Sequence, residues 1–190
     1  MDIKVVQLNK KFGEKLVLNN LNLTFKKGQI YCLMGASGIG KTTLLNILMG
    51  FEQQDSGELM GLKGKQIAAV FQEDRLIEHY DAIKNIKLVC GKNISENEII
   101  HELEAVGLKD VLEKPVSLFS GGMRRRVAIV RAVLAESDLI LMDEPFKGLD
   151  QDLKLRVIQY VKQKIEGKTM ILVTHDRREA DLLAAKVFEL

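Results

Sequence analysis

The most constraining feature of the sequence is a glycine-rich stretch between a short apolar run and an amphipathic segment. This stretch, Gly35-Ala-Ser-Gly-Ile-Gly-Lys-Thr42, fits the pattern GxxxxGK[ST]. It follows the apolar run 29–34 and precedes a predicted helix over 42–49, which ends at Gly50. The glycines let successive backbone N–H groups point at phosphate oxygens, and the helix presents its positive end to the same charge. The order strand, loop, helix therefore predicts a phosphate-binding loop rather than a plain turn.

The residues that end this loop have the chemistry to hold a nucleotide. We expect Lys41 to reach the β- and γ-phosphates and Thr42 to offer its hydroxyl to Mg²⁺, an ion that takes few protein ligands. The residues predicted to bind the nucleotide through this loop are Gly35, Ala36, Ser37, Gly38, Ile39, Gly40, Lys41, Thr42 and Thr43.

Strands and helices alternate along the rest of the chain. Nearly continuous apolar runs at 139–142 and 170–173 are separated by a predicted helix that begins near Asp150, and another helix is predicted over about 121–135. This pattern is typical of an α/β fold with a parallel sheet covered on both faces. A generic α/β domain with no nucleotide is the alternative, which the loop disfavours.

Two other segments depart from this alternation. Residues 20–25 alternate polar and apolar side chains, which predicts a half-buried, antiparallel strand near the N-terminus. Between Gln72 and Pro115 the pattern becomes helical, with a capping box formed by Ser95 and Glu98. We therefore expect a mostly parallel sheet with an N-terminal antiparallel β subdomain and a small helical insertion.

Composition narrows the class of partner. The 28 basic and 26 acidic residues give a net charge of +2, so no strong field attracts nucleic acid, and no nucleic-acid partner is expected. Cys32 and Cys90 have no CxxC pair or histidine cluster near them, which disfavours a disulfide framework or zinc site and fits a reducing cytosol. The N-terminus lacks a signal-peptide core, and no apolar stretch approaches the ~20 residues that cross a bilayer. Any role at a membrane is thus expected to be peripheral.

Two acidic residues follow one buried strand. Asp143 and Glu144 come directly after the run 139–142, at the carboxyl edge where open α/β sheets bind ligands. We expect Asp143 to hold Mg²⁺, through water, and Glu144 to orient the water that attacks the γ-phosphate or accept its proton. Both could instead cap the next turn, but the phosphate loop favours the catalytic interpretation.

A third motif carries a resemblance to a known family. The residues Phe119-Ser-Gly-Gly-Met123 resemble the LSGGQ signature of ABC-transporter nucleotide-binding subunits, with Phe119 in place of Leu and Met123 in place of Gln. The resemblance implies a P-loop NTPase fold and a dimer closed head-to-tail around two ATP molecules. In it, Ser120, Gly121 and Gly122 cap the γ-phosphate of the ATP bound by the partner.

Other positions match the same family in order along the chain. Phe12 resembles the aromatic residue that stacks on adenine, although a lone aromatic is more often in the core. Gln72 resembles the glutamine that contacts Mg²⁺ and the attacking water, and His175 the switch histidine that binds the γ-phosphate. Asp150 resembles the residue through which the two subunits sense each other, and it is also a plausible N-cap. With Glu144, Gln72 and His175 complete the predicted catalytic set.

The resemblance implies an ATP-hydrolysing cassette that drives a membrane transporter. Met123 and the stretches 72–76 and 142–146 are similar to the nitrate, sulfonate and taurine importer branch. Its expected partners are ATP, a second cassette, membrane permease subunits and an extracytoplasmic binding protein, with the cassette cytoplasmic and peripheral on the inner face of the cell membrane. A non-transport ABC ATPase and a module that holds ATP without hydrolysing it are the alternatives.

Residues 1–190 are expected to form a single ABC ATPase domain with a helical subdomain at approximately 73–118. The stretches 50–72 and 72–120 are shorter than is usual in the family, and no accessory regulatory domain is expected after Leu190. The basic run 124–126 suggests a nucleic-acid or phosphate site, but a solvated or ion-paired helix face is the preferred interpretation.

Overall fold

A computed structural model describes residues 1–91, 94–109 and 113–190. Its strands are β1 (Ile3–Phe12), β2 (Lys15–Phe25), β3 (Ile30–Met34), β4 (Ser56–Met60), β5 (Ile67–Val70), β6 (Leu139–Asp143), β7 (Thr169–Val173) and β8 (Lys186–Glu189). Its α-helices are α1 (Lys41–Leu48), α2 (Ala82–Lys87), α3 (Glu96–Ala105), α4 (Gly121–Leu134), α5 (Gln151–Lys164) and α6 (Arg177–Leu182), and a 3₁₀ turn covers Val116–Leu118.

The central sheet is parallel, with strand order β5-β6-β7-β3-β8. Its inner strands are apolar on both sides because each face is covered. In β6, Ile140 and Met142 pack on the side of α4 and α5, whereas Leu139 and Leu141 pack towards α1 and the second sheet. The predicted parallel sheet, buried on both faces, is confirmed.

The second sheet is antiparallel, with order β2-β1-β4. The predicted strand over 20–25 is the second half of β2, with Phe25 fully buried. The sequence did not predict β1, because its alternation is broken: Gln7 has a φ of 47° and the register shifts between Val5 and Leu8. A bulge of this kind changes which residues face inward partway along a strand.

The helical insertion lies between β5 and β6. Its longer helix, α3, begins at Ser95 with both hydrogen bonds of the predicted capping box, and buries Ile99 and Leu103. Val116 of the 3₁₀ turn is also buried, and all three residues pack in the same core as α4. The insertion is thus anchored on the side of the sheet opposite α1.

The basic run at the start of α4 is not a solvated face. Arg125 and Arg126 are each only 8% exposed. Arg125 is ion-paired, with Nε 3.2 Å from Oδ1 of Asp74, and Arg126 donates to the carbonyl oxygens of Val106 and Gly107, both at 3.0 Å. The solvated alternative is therefore wrong for both side chains, whereas the ion-paired alternative is confirmed for Arg125. Each guanidinium also satisfies carbonyl groups between packed elements.

Two further observations bear on compartment and membrane. Cys32 is buried and Cys90 is half-buried, and both thiols are free. In the part of the chain that the structure describes, none of the helices combines the length and the apolar character that crossing a bilayer requires.

Candidate functional site

A cleft of about 370 Å³ opens where the carboxyl ends of β3, β6 and β7 meet. The carboxyl edge of a parallel sheet is where open α/β folds bind ligands. The residues that line the cleft are Phe12, Lys15, Val17, Ser37, Gly38, Gly40, Lys41, Thr42, Thr43, Gln72, Asp143, Glu144, Lys147, Val173 and His175. The structure therefore brings together most of the predicted nucleotide-binding residues and all of the predicted catalytic and metal-binding ones.

The glycine-rich loop takes a shape that other residues would resist. Gly38 and Gly40 have φ angles of 77° and 110°, in the region that L-residues rarely adopt. A Cβ on Gly40 would lie 2.6 Å from Cδ2 of Leu18, whereas one on Gly38 would meet no atom within 4 Å. Gly40 thus fixes how closely the loop packs on β2, while Gly38 leaves open space on the cleft side for an anion.

Lys41 begins α1 and is buried. Its Nζ donates to the carbonyl oxygens of Gly35 and Ala36, at 2.8 and 2.9 Å. These contacts lay the ammonium group across its own loop and place its charge in the cleft. Gly35, Ala36 and Ile39 belong to the loop but lie outside the cleft lining.

Thr42 and Asp143 form a pair of oxygen ligands. The Thr42 hydroxyl donates to Oδ2 of Asp143 at 2.7 Å, across 101 positions of sequence. Among the described residues there is no group of three or more His, Cys, Asp or Glu side chains that could hold a metal by itself. A hydroxyl and a carboxylate in contact suit Mg²⁺, which completes its shell with water and phosphate oxygens. The residues present therefore fit that ion.

Glu144 occupies a strained position beside the cleft. Its φ is 48°, and its N–H donates to the carbonyl oxygen of Val173 at 2.9 Å. Burial raises the pKa of its carboxyl group, and the neighbouring Asp143 adds to this, while His175 opposes it. A non-glycine residue held in this conformation is often found at functional sites.

His175 faces Glu144 from the end of β7. Its Nε2 lies 3.1 Å from Oε1 of Glu144. The alignment is not that of a hydrogen bond, and this buried oxygen accepts none from the described residues. This oxygen is therefore a buried acceptor without a hydrogen bond, beside the imidazole of His175. Immediately before His175 in the chain, the Thr174 hydroxyl donates to Oε2 of Glu179 at 2.6 Å, which fixes the turn that carries the histidine.

Phe12 lies at the rim of the cleft rather than in the core. Its ring is 49% exposed, and Nζ of Lys10 lies 5.0 Å from its centroid. The alternative that it is an ordinary core aromatic is wrong. An exposed ring at a cleft edge offers a face on which a planar base can stack.

Sequence reasoning missed four residues that line the cleft: Lys15, Val17, Lys147 and Val173. Lys15 pairs with Phe12 in the β1–β2 register, so knowledge of the hairpin would have found it. Lys147 follows Glu144 by three positions, and its charge lowers the pKa of that carboxyl group. Val17 and Val173 gave no signal, since apolar strand residues usually serve packing alone.

The signature residues lie apart from the cleft. Ser120 is the N-cap of α4 and accepts from the N–H of Met123 at 3.3 Å. A Cβ on Gly122 would lie 3.5 Å from a methyl group of Leu149, so the motif packs beside the turn before α5. In that turn Asp150 accepts from the N–H of Leu153 at 3.0 Å, which confirms it as an N-cap.

Comparisons with known proteins agree with this geometry. A family model described as ABC transporter matches residues 18–147. The spermidine/putrescine import ATP-binding protein PotA of Spiroplasma citri is 36% identical over 97% of this chain and 57% of its own length. An aliphatic sulfonates import ATP-binding protein, SsuB 2 of Pseudomonas syringae, is 40% identical over 95% of this chain and 66% of its own length. The chain thus spans about three fifths of the length of such relatives.

A solved structure shares the fold. The ATP-binding cassette MJ0796, described as a dimer in a post-hydrolysis state bound to ADP and Pi, superimposes with a TM-score of 0.85 and 28% identity. The match covers 99% of this chain and 94% of that one. The family model over most of the chain, the identity to curated relatives and this shared fold show that the chain belongs to the ABC transporter family, as an ATP-binding cassette.

Proposed function

We propose that this chain binds ATP with Mg²⁺, hydrolyses it, and thereby drives an ABC membrane transporter. The observation that carries the proposal is the convergence, in one cleft, of a phosphate loop with two carboxylates and a histidine: Lys41, Thr42, Asp143, Glu144 and His175. This convergence supports the roles of the cofactor-binding and catalytic residues, whereas the similarity to relatives supports the family.

Nucleotide binding follows from the shape of the loop. The backbone N–H groups between Gly35 and Thr43 would surround the β- and γ-phosphates, with the amino end of α1 behind them. Lys41 would exchange its carbonyl contacts for phosphate oxygens without moving far. Phe12 would stack on the adenine ring at the rim of the cleft.

Thr42, Asp143 and Gln72 are the residues that would hold Mg²⁺. When bound, the ion supplies positive charge that balances the phosphates and the charge developing on them. Gln72 is exposed at the end of β5, so its amide can turn towards the cleft that it lines.

Glu144 and His175 would act on the attacking water. Glu144 lines the cleft and its Oε1 accepts no hydrogen bond from the described residues, which supports a carboxylate that orients that water or accepts its proton. His175, which lies beside this carboxylate, would hold the γ-phosphate and keep the carboxylate in place. Their 3.1 Å separation supports a shared role.

Ser120, Gly121 and Gly122 are proposed to close the γ-phosphate of a second cassette. They form an uncovered helix N-terminus outside their own cleft, which is consistent with a site completed by a partner. Asp150, next to them in space, would report that closure between subunits. The similar cassette MJ0796 is described as a dimer.

The transporter role is proposed from the relatives. Their names are those of import ATP-binding proteins for polyamines, sulfonates, sulfate and iron. We propose that residues 1–190 act as one ATPase domain, with a helical subdomain at approximately 73–118, on the inner face of the cell membrane. Its partners there would be permease subunits and an extracytoplasmic binding protein, and the sulfonate-type branch is the assignment that Met123 favours.

Two measurements test this function. Steady-state phosphate release should require both ATP and Mg²⁺, and a protein that binds ATP without releasing phosphate would be a binding module instead. Purification of the tagged chain from gently solubilised membranes of its source cell should bring a polytopic permease with it. Recovery from the soluble fraction alone would indicate a non-transport ABC ATPase.

A further inference from the structure

The loop that carries Gln72 is held by the helix that begins at the signature. This loop, residues 71–75, leaves β5 at the edge of the sheet and lines the cleft through Gln72. It contains no regular hydrogen-bonded structure of its own. Its backbone carbonyl groups therefore need donors from elsewhere.

Two arginines of α4 supply those donors. Arg125 donates through Nη1 to the carbonyl oxygen of Phe71 and through Nη2 to that of Gln72. Arg131 donates to the carbonyl oxygens of Arg75 and Asp74, at 2.9 and 3.0 Å. Four of the five carbonyl groups in the loop are thus bound by guanidinium groups from one helix.

Of these two arginines, Arg125 is the more constrained by its contacts. Its side chain is 10% exposed, and its Nε lies 3.2 Å from Oδ1 of Asp74, whose side chain is 16% exposed. The planar guanidinium group thus meets two carbonyls and a carboxylate at once, a geometry that a lysine ammonium cannot reproduce. Since a buried charge with no partner is costly, the loop and α4 are expected to stay together.

The first and last residues of the loop also contact each other. The guanidinium carbon of Arg75 lies 3.8 Å from the ring centroid of Phe71, and Arg75 has a φ of 45°. The loop therefore presents a compact body to α4 rather than an extended strand.

We infer that Arg125 is a positioning residue: it fixes Gln72 in the cleft relative to α4, so that Gln72 and the signature helix move as one unit. The inference rests on the proposed function for the role of Gln72 in hydrolysis. A displacement of α4 when Ser120 meets a second cassette would then move Gln72 directly, through the two carbonyl contacts of Arg125.

The test is a double-mutant cycle between Arg125→Lys and Gln72→Ala. Arg125→Lys keeps the charge beside Asp74 but loses the planar guanidinium group that binds two carbonyl oxygens. We expect kcat for ATP hydrolysis to fall roughly tenfold, because small misplacements of a catalytic group are costly. KM should change little. In the Gln72→Ala background the same change should have little further effect on kcat. An equal loss of kcat in both backgrounds would overturn the inference.

Arg156→Lys is the matched control. Arg156 donates from α5 to the carbonyl oxygens of Ala105 and Glu104, at 2.7 and 2.8 Å, so the same replacement there loses two contacts of the same kind outside the loop 71–75. Its effect on kcat should be the same in the unsubstituted protein and in the Gln72→Ala background. If Arg125→Lys does not fold, Arg131→Lys replaces it in the cycle, with a smaller expected loss.

A second readout does not depend on activity. Hydrogen exchange of the peptide that covers 71–77 should be faster in Arg125→Lys than in the unsubstituted protein, and unchanged in Arg156→Lys. Unchanged exchange in Arg125→Lys would overturn the inference even if ATP hydrolysis is confirmed. A protein that hydrolyses no ATP would contradict the proposed function, while the exchange experiment would still decide whether Arg125 holds the loop.

Discussion

The cleft at the carboxyl edge of the parallel sheet and the amino end of α4 differ in how much of a phosphate site each supplies. In the cleft, Lys41 and Thr42 of α1 converge with Asp143 of β6, and Lys41 and Asp143 are buried. At α4, Ser120 and Gly121 are exposed at the helix N-terminus, and neither lines that cleft. We propose that the first region binds a nucleotide through residues of this chain, whereas the second acts only when another surface covers it.

The two regions also differ in backbone strain and in whether they bury an ionisable group. Glu144 sits in the cleft with a raised pKa and a strained backbone. Ser120 caps its helix with ordinary backbone angles. The difference supports the proposal that the cleft carries out the chemistry while the signature serves recognition.

The largest expected effect is that of Glu144→Gln. Removing the group that orients water or accepts its proton should lower kcat about a thousandfold, within the range for general-base residues, while ATP binding persists. Phosphate release and nucleotide binding measure the two separately. Glu166→Gln, at an exposed position before β7, is the matched control and should retain full activity. An active Glu144→Gln protein would contradict the assigned role.

The next effect compares the two regions directly. Lys41→Ala should weaken ATP binding roughly thirtyfold, because a charge-assisted contact to phosphate is lost. Ser120→Glu should leave ATP binding intact but stop hydrolysis, because a negative charge would face the γ-phosphate of the partner. Lys63→Ala, an exposed lysine in a turn, is the control for charge alone.

A mixture of Lys41→Ala and Ser120→Glu tests whether the two regions of different chains form one site. In a head-to-tail dimer, a mixed pair has one site with both substitutions and one site with neither. We therefore expect the mixture to release phosphate faster than the sum of the two separate proteins. No recovery at concentrations that support dimers would contradict a site shared between cassettes.

The pH dependence should report the burial of Glu144. Because its pKa is raised in the folded protein, kcat should begin to fall at a pH above the usual glutamate range as the solution is acidified. His175→Ala removes the group that opposes this shift, so the fall should move to higher pH. A pH profile unchanged by His175→Ala would contradict their coupling.

The same shift has a consequence for stability. A raised pKa means that the folded state binds the proton more tightly than the unfolded state, so the stabilisation by this proton is present at low pH and lost as pH rises through the folded pKa. Glu144→Gln should therefore unfold at higher denaturant concentration than the unsubstituted protein at neutral pH. The gain should shrink as the pH is lowered, which urea unfolding at several pH values can measure.

The smallest expected effect compares two serine caps. Ser95→Ala and Ser120→Ala should each lower the free energy of unfolding by about 1 kcal/mol, because each loses an N-cap hydrogen bond. Only Ser120→Ala should also lower kcat. Equal kcat values for the two variants would show that Ser120 acts as a cap and nothing more.

Much of the site could be predicted because its parts are short local patterns. The loop that ends in Lys41 and Thr42, the acidic pair after β6 and the caps at Ser95 and Ser120 are each specified by a few neighbouring residues. Backbone conformation and hydrogen bonding within such a stretch depend little on the rest of the chain. Lys15 and Lys147 escaped prediction because a cleft residue on a hairpin or turn has no pattern of its own.

By itself, the sequence determined the alternation of strands and helices, the phosphate loop and the family resemblance. The tertiary structure decided which distant groups meet: Thr42 with Asp143, Glu144 with His175, and Arg125 with the carbonyl groups after β5. It also showed that Arg125 and Arg126, in a basic run expected to be solvated or ion-paired, are buried and bound by groups of other elements. The physical reason is that burial and pairing of charge depend on how elements pack, and packing joins residues whose separation along the chain carries no local signal.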